Sequence, residues 1–236
     1  MLKLQTIHGF LYLCLTMRAI EMLSEEIPPL LHTDSGDKVL LWMDEFKVSH
    51  LPVLKNGNFV GVVSESAVLD HLNLESDLDH LFDHLPRPFV FEDTHIYDVL
   101  LRISNEKLTV LPVLNAAEEY KGCISIYGIM SMLSSFGSLS EHGGILVLEM
   151  NSNDYSLAQI AQIVESNNAK ILSSFITSSE DSTRLEVTLK INVSNLSAVI
   201  QTFERYEYTV KDVIQDKDAE SDLRKRYEAL LNFMKF

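Results

Sequence analysis

Cysteine is scarce: of 236 residues only Cys14 and Cys123 are cysteines. A disulfide framework is excluded, and the pair fits a reducing compartment, so a cytoplasmic location is expected. Basic residues are few as well, 19 Lys and Arg against 34 Asp and Glu, a net charge of −15. Nucleic-acid backbones and anionic bilayers are bound through basic patches, so neither nucleic acid nor membrane is an expected partner. No run approaches the ~20 apolar residues that span a bilayer. Nine glycines leave little room for a phosphate loop. No Gly-rich loop with its Lys, no Gly-x-Ser-x-Gly elbow and no zinc-hydrolase pair occurs, so no catalytic residues are assigned. What is present is an apolar fraction of 46%, enough for a core of ordinary size. The length admits one large domain or two small ones.

Residues 1–16 hold a short apolar stretch, Gly9 to Leu15, behind Lys3. A signal peptide needs a small-residue cleavage site after such a stretch, and Thr16-Met17-Arg18 offers none. Two readings fit: an extra strand or helix packed on the core, or an extension ahead of a start at Met17.

The chain repeats itself. Lys47-Val48-Ser49-His50-Leu51-Pro52-Val53-Leu54 recurs 60 residues on as Lys107-Leu108-Thr109-Val110-Leu111-Pro112-Val113-Leu114, with five of eight positions identical. Downstream, Phe59 to Ser64 answers Tyr120 to Ser125 with one residue inserted in the turn. Upstream, residues 37–46 and 94–107 read as amphipathic helices. Val39, Met43 and Phe46 share a face in the first; Ile96, Val99, Leu100 and Ile103 share one in the second, with Thr94 as its N-cap. Each copy then gives an apolar strand and a turn, Asn56-Gly57 being a strong hairpin pair in the first. A second strand and a helix over 65–72 or 127–136 follow. The unit is β-α-β-β-α, written twice. One such unit cannot bury its own sheet face, so the two must pack sheet to sheet.

This pattern resembles a tandem pair of CBS domains over residues 17–138, with repeats at about 17–73 and 85–136. The resemblance rests on the Leu-Pro-Val strand, the turn and the Gly-x-x-Ser leading into a helix, present twice. It implies a flat, commonly dimeric module whose two inter-sheet clefts hold adenosine nucleotides and regulate a neighbouring activity. AMP, ATP or S-adenosylmethionine is the implied ligand. Such a cleft needs an apolar slot for the base, a carboxylate for the ribose hydroxyls and donors for phosphate. The positions matching the family's walls are Ile27 and Pro28, Phe89 and Val90, His50 and Pro52, and Val110 and Pro112. Ser64 and Ser125 open the helices, and in the family an Asp follows three residues later. Here Ala67 and Gly128 stand there, so ribose recognition loses its carboxylate in both copies. Core packing for the Leu-Pro-Val strands and helix capping for the two serines are the alternative roles.

Between the repeats, His80 and His84 lie one helical turn apart near Asp77 and Asp83, a spacing able to hold zinc. A solvated acidic face, with Leu74, Leu78 and Leu81 inward, fits the same residues.

Small residues over 136–144 mark a domain boundary. Beyond it, residues 145–150 read as a strand and 155–167 as a helix with Leu157, Ile160, Ala161 and Val164 inward. Residues 169–178 form a strand joined as a hairpin to one alternating Leu185, Val187, Leu189 and Ile191 with polar residues. A helix after Ser194-Asn195 and a strand over 210–214 follow. This βαββαβ order is ferredoxin-like, and residues 144–215 resemble an ACT domain. That family binds amino acids at the turn after the first strand. Here the turn runs from Asn151 to Ser156 without glycine, and Asp154 is placed either to grip a ligand amine or to cap the helix; dimerisation through sheet edges or helix faces is the domain's alternative role. Residues 216–236 read as an amphipathic helix with Leu223, Tyr227, Leu230, Leu231 and Met234 on one side.

The expected fold class is therefore α/β (α+β), a tandem CBS pair with an ACT-like domain. The order resembles stand-alone bacterial regulatory proteins of the acetoin-utilisation type. The expected function is a non-enzymatic sensor: a homodimer that takes a small regulatory ligand and is read by a protein partner. A structural module with ligand-free clefts is the alternative, and an enzyme using the His/Asp segment with a metal a third.

Overall fold

The structure, a computed structural model, describes residues 17–71, 85–134, 141–178 and 183–215. Residues 1–16, the proposed metal pair His80 and His84, and the 216–236 segment lie outside them. The chain forms two compact units, Met1–Leu133 and Ser134–Phe236.

In the first unit each repeat is a three-stranded sheet with two helices. The first comprises β1 (Leu30–Leu31), α1 (Gly36–Phe46), β2 (His50–Lys55), β3 (Asn58–Ser64) and α2 (Glu65–His71). The second comprises β4 (Val90–Phe91), α3 (Ile96–Glu106), β5 (Val110–Leu114), β6 (Tyr120–Ser125) and α4 (Ile126–Ser134). β1 and β4 pair parallel to β2 and β5, which form antiparallel hairpins with β3 and β6. Asn56 and Gly57 both adopt positive φ, 50° and 83°, giving the first hairpin the twist its strands require. The register shifts between Val53 and Leu54, and again between Val113 and Leu114, 60 residues on. Lys47 and Lys107 both end their helices in the left-handed conformation. The duplication thus extends to backbone irregularities.

At three places local competition decides the outcome. Thr94 does not cap α3; His95 does, its Nδ1 accepting from Tyr97 N at 3.3 Å. The lead-in segments are strands only at Leu30–Leu31 and Val90–Phe91, so Ile27, Pro28 and Phe89 precede them. Proline cannot donate to a ladder, and Pro28, Pro29, Pro86 and Pro88 delay pairing. Ala19–Met22 forms a 3₁₀ turn whose Ala19 and Met22 belong to the core of the second repeat, with Val99, Leu111 and Ile124, not to the first. Ala19 N donates to Thr94 O and Ile20 N to Glu92 O, fixing that docking.

The repeats meet through equivalent residues. Phe59 and Tyr120 stack with centroids 6.2 Å apart, and the first repeat's core continues into Val110 and Cys123. Each lead-in crosses to the other repeat. Ser24 N donates to Cys123 O at 2.8 Å, and Val62 N to Pro86 O at 2.9 Å. Gly61 allows the second crossing: a Cβ there would lie 2.8 Å from both Leu85 Cβ and Pro86 O.

The second unit is β7 (Gly144–Asn151), α5 (Leu157–Ser166), β8 (Ile171–Ser178), β9 (Arg184–Ile191), α6 (Ser197–Arg205) and β10 (Thr209–Ile214). Its four-stranded antiparallel sheet has the order β10-β7-β9-β8, the ferredoxin-like arrangement. One face, with Leu146, Leu148, Val187, Leu189 and Ile191, packs on Ile160, Ile163 and Val164 of α5 and Val199 and Phe203 of α6. The helix facing differs from expectation at Leu157, which is 46% exposed as the first residue of the helix, while Ile163 is buried.

Candidate functional site

The duplicated Leu-Pro-Val strands, β2 and β5, carry the candidate residues of both repeats. Leu51, Val53, Leu111 and Val113 are fully buried, so these segments are core first. Pro52 and Pro112 are buried with them. The strand starts are different. His50 stands opposite Ser64 in the β2–β3 register, as Val110 stands opposite Ser125 in β5–β6. Each serine opens a helix and caps it: Ala67 N donates to Ser64 Oγ at 3.2 Å and Gly128 N to Ser125 Oγ at 3.0 Å. Ala67 and Gly128 are thus the positions whose amides close the caps, and neither carries a carboxylate.

The two copies diverge in polarity. In the first, Ser64 is half-buried and its Oγ lies 3.1 Å from Ser66 Oγ. In the second, Val110 is fully buried and Ser125 is only 6% exposed. Across the seam, Thr109 ties the first copy down. Ser49 N donates to Thr109 Oγ1 (2.9 Å), Thr109 N donates to His50 Nδ1 (3.3 Å), and Thr109 Oγ1 lies 3.1 Å from His50 Nδ1. Burial holds the His50 pKa below its ordinary value.

The lead-in residues are placed by the opposite repeat. Ile27 is buried and its carbonyl accepts from Cys123 Sγ at 3.8 Å; Pro28 follows it, half-buried. Val90 lies opposite Val113. Phe89 is in edge contact with Phe59 (6.4 Å) and Phe91 (5.4 Å), with the Arg87 guanidinium 5.9 Å from its ring. Burial pushes the Cys123 thiol up to about 11, which makes it an inert core residue. Sequence reasoning did not find Thr109 as a site residue; it reads there only as a conservative match to Ser49, and its role arises from the partner strand.

In the second unit a cavity of about 420 Å³ opens at the turn after β7, lined by Glu149, Asn151, Asp154, Gln159, Glu207 and Tyr208 among others. Asn151 Nδ2 donates to Asp154 Oδ2 (3.3 Å), Tyr208 Oη to Gln159 Oε1 (2.9 Å), and Arg184 Nη1 to Glu149 Oε1 (2.7 Å). Burial and the Asp154 charge raise the Tyr208 pKa. Asp154 does not cap α5: Ser156 does, accepting from Gln159 N at 3.3 Å. Asp154 instead sits in a short 3₁₀ turn over Ser152–Asp154. Among the described residues no group of three or more His, Cys, Asp or Glu is arranged to hold a metal.

Residues 23–74 match the family model of the CBS domain. No curated protein sequence matches the chain. Among solved structures it is similar to a CBS domain pair/ACT domain protein from Thermotoga maritima, 26% identical over 50% of this chain and 96% of that one, TM-score 0.43. It is also similar to a protein from Vibrio cholerae assigned to acetoin utilization (19%, 53% and 96%, 0.46). CBSX2, solved in complex with AMP, is a further likeness (22%, 49% and 95%, 0.42).

Proposed function

We propose that this tandem CBS pair with its ACT-like domain is a non-enzymatic metabolite sensor, its ligand an adenosine-type molecule in the cleft of the first repeat. The match of residues 23–74 to the CBS domain carries the reading. The juxtaposition of His50, Ser64 and Ser66 at one strand–helix corner supports it. Binding would shift the relative populations of arrangements of the modules, which a partner protein reads. The ACT-like cavity, with carboxylates of Glu149, Asp154 and Glu207, suits an amine-bearing ligand. A cytoplasmic location and a homodimer complete the proposal. The dimer is supported by equivalent exposed apolar residues on both repeats: Leu41 and Leu101, 64% and 59% exposed, and Leu69 and Met130, 59% and 62%. No helix among the described residues is long and apolar enough to cross a membrane.

Calorimetry with AMP, ATP and S-adenosylmethionine tests the sensor reading; heat with none of them defeats it. A structural module with empty clefts is the second reading. It is favoured by Ala67 and Gly128 where the family places its ribose carboxylate, and it predicts no heat with any of the three.

A further inference from the structure

The sheet of the second unit has one covered face and one open face. Side chains alternate along each strand, so the register sorts them between the two. Leu146, Leu148, Val187 and Leu189 face α5 and α6. On the opposite side Ile145 pairs with Ile214, Val147 with Asp212 and Thr188, and Thr188 with Phe175. Phe175 and Ile214 are 60% and 55% exposed, and Ile145 and Val147 are half-buried. An antiparallel sheet that keeps one face in water carries polar residues there. This face does so at one end only, where Glu149 pairs with Arg184 and Glu186 with Lys211. The other end, from Ile214 across Ile145 and Val147 to Phe175, is apolar.

The apolar end is also where the chain leaves the sheet. Ile214 is the last residue of β10, an edge strand. The segment that follows, 216–236, carries Leu223, Tyr227, Leu230, Leu231 and Met234 at the spacing of one helical face. On a helix, the stretch from 223 to 234 measures about 16 Å. Four strands are about 14 Å across, so stripe and sheet match in size. Residues 216–222 reach about 23 Å when extended, enough to bring the stripe back over the sheet. The segment has five basic and five acidic residues, so it brings no net charge to a chain of −15. Its tether favours it too. A segment on a short linker acts at a millimolar effective concentration, above that of a free second copy.

We infer that residues 216–236 fold back as an amphipathic helix onto the open face of their own sheet, covering Ile145, Val147, Phe175 and Ile214. The face is then an interface within one chain, closed to a second copy and to a foreign protein. It does not depend on what the clefts of the first unit bind.

Hydrogen–deuterium exchange of the full chain tests the docking. An isolated helix of this length is marginal in water, so amides over 223–234 are protected only if the segment is docked. They are expected to exchange at least about tenfold slower than unstructured amides. Phe175→Glu and Ile214→Glu, both at exposed positions, should each remove that protection while Leu148 and Leu189 stay protected. A benzophenone side chain replacing Phe175 should cross-link to residues 223–234 of the same chain. Absence of protection in the native chain, protection that survives both face substitutions, or cross-links to another copy each overturns the inference. Should a face variant also lose the protection of Leu148 and Leu189, its sheet has unfolded. Leu230→Glu, expected to abolish the tail's protection, and the cross-link in the otherwise native chain then decide.

Discussion

The first and second repeats share strands, bulges, left-handed helix ends and caps, yet one strand–helix corner is polar and the other apolar. Fully buried Leu51 and Leu111 occupy equivalent positions, whereas His50 and Val110 differ in polarity and hydrogen-bonding capacity. Core positions are constrained by volume, since interiors are packed to crystal density. At the strand starts the two copies differ in packing as well as in chemistry: His50 is half-buried and bonded to Thr109, whereas Val110 has joined the core. Duplication therefore keeps the scaffold and releases the corners, and the corners are where the two copies have parted.

The comparison can be broken or sharpened by substitution. The largest effect should come from the shared core: Leu51→Ala and Leu111→Ala should each cost about 2–5 kcal/mol in denaturant unfolding. Costs differing by more than that range would show that the cores are not equivalent. Gly61→Ala should cost about 1–3 kcal/mol, because its Cβ meets Leu85 Cβ and the Pro86 carbonyl at 2.8 Å and the crossing must shift. Faster amide exchange at Val62 is the expected local readout. On the proposed sensor reading, Ala67→Asp places a carboxylate where the resembled family carries one and should tighten adenosine about tenfold; Gly128→Asp, beside buried Val110 and Ser125, should create no second site in calorimetry. Removing the caps should cost about 0.5–2 kcal/mol each, with Ser125→Ala the costlier because its hydroxyl is the more buried, measured by thermal unfolding.

The smallest effect concerns pH. The His50 pKa is lowered by burial in the folded chain, so the unfolded chain binds more protons and stability rises with pH. The contribution of the neutral ring is whole above about pH 6.5, the unfolded value, and is lost as pH falls through the lowered folded pKa. His50→Gln should flatten that part of the stability profile; an unchanged slope in urea melts would remove His50 from the seam.

Much of the fold was legible in the sequence because repetition and periodicity are local. The strands at 110–114 and 120–125, the Asn56-Gly57 turn and the βαββαβ order follow from spacing alone. The misread details share a cause: they depend on competition between neighbours. Thr94 and His95 both stand before α3, and Asp154 and Ser156 both before α5; which one caps is decided by where the chain turns. Residues 17–22 belong by order to the first repeat and by packing to the second, which no local pattern announces.

The candidate site was legible in its members and illegible in its asymmetry. The sequence alone determined that two β-α-β-β-α units exist, that both lack the carboxylate after their serine, and that His50 and Val110 hold equivalent places. Only the tertiary structure brought Thr109 against His50 from 59 residues away and gave a difference in residue type a partner in the other repeat. Hydrogen bonds between strands of different repeats depend on register and crossing, and these are set by how the two sheets pack, a property that no stretch of either strand carries by itself.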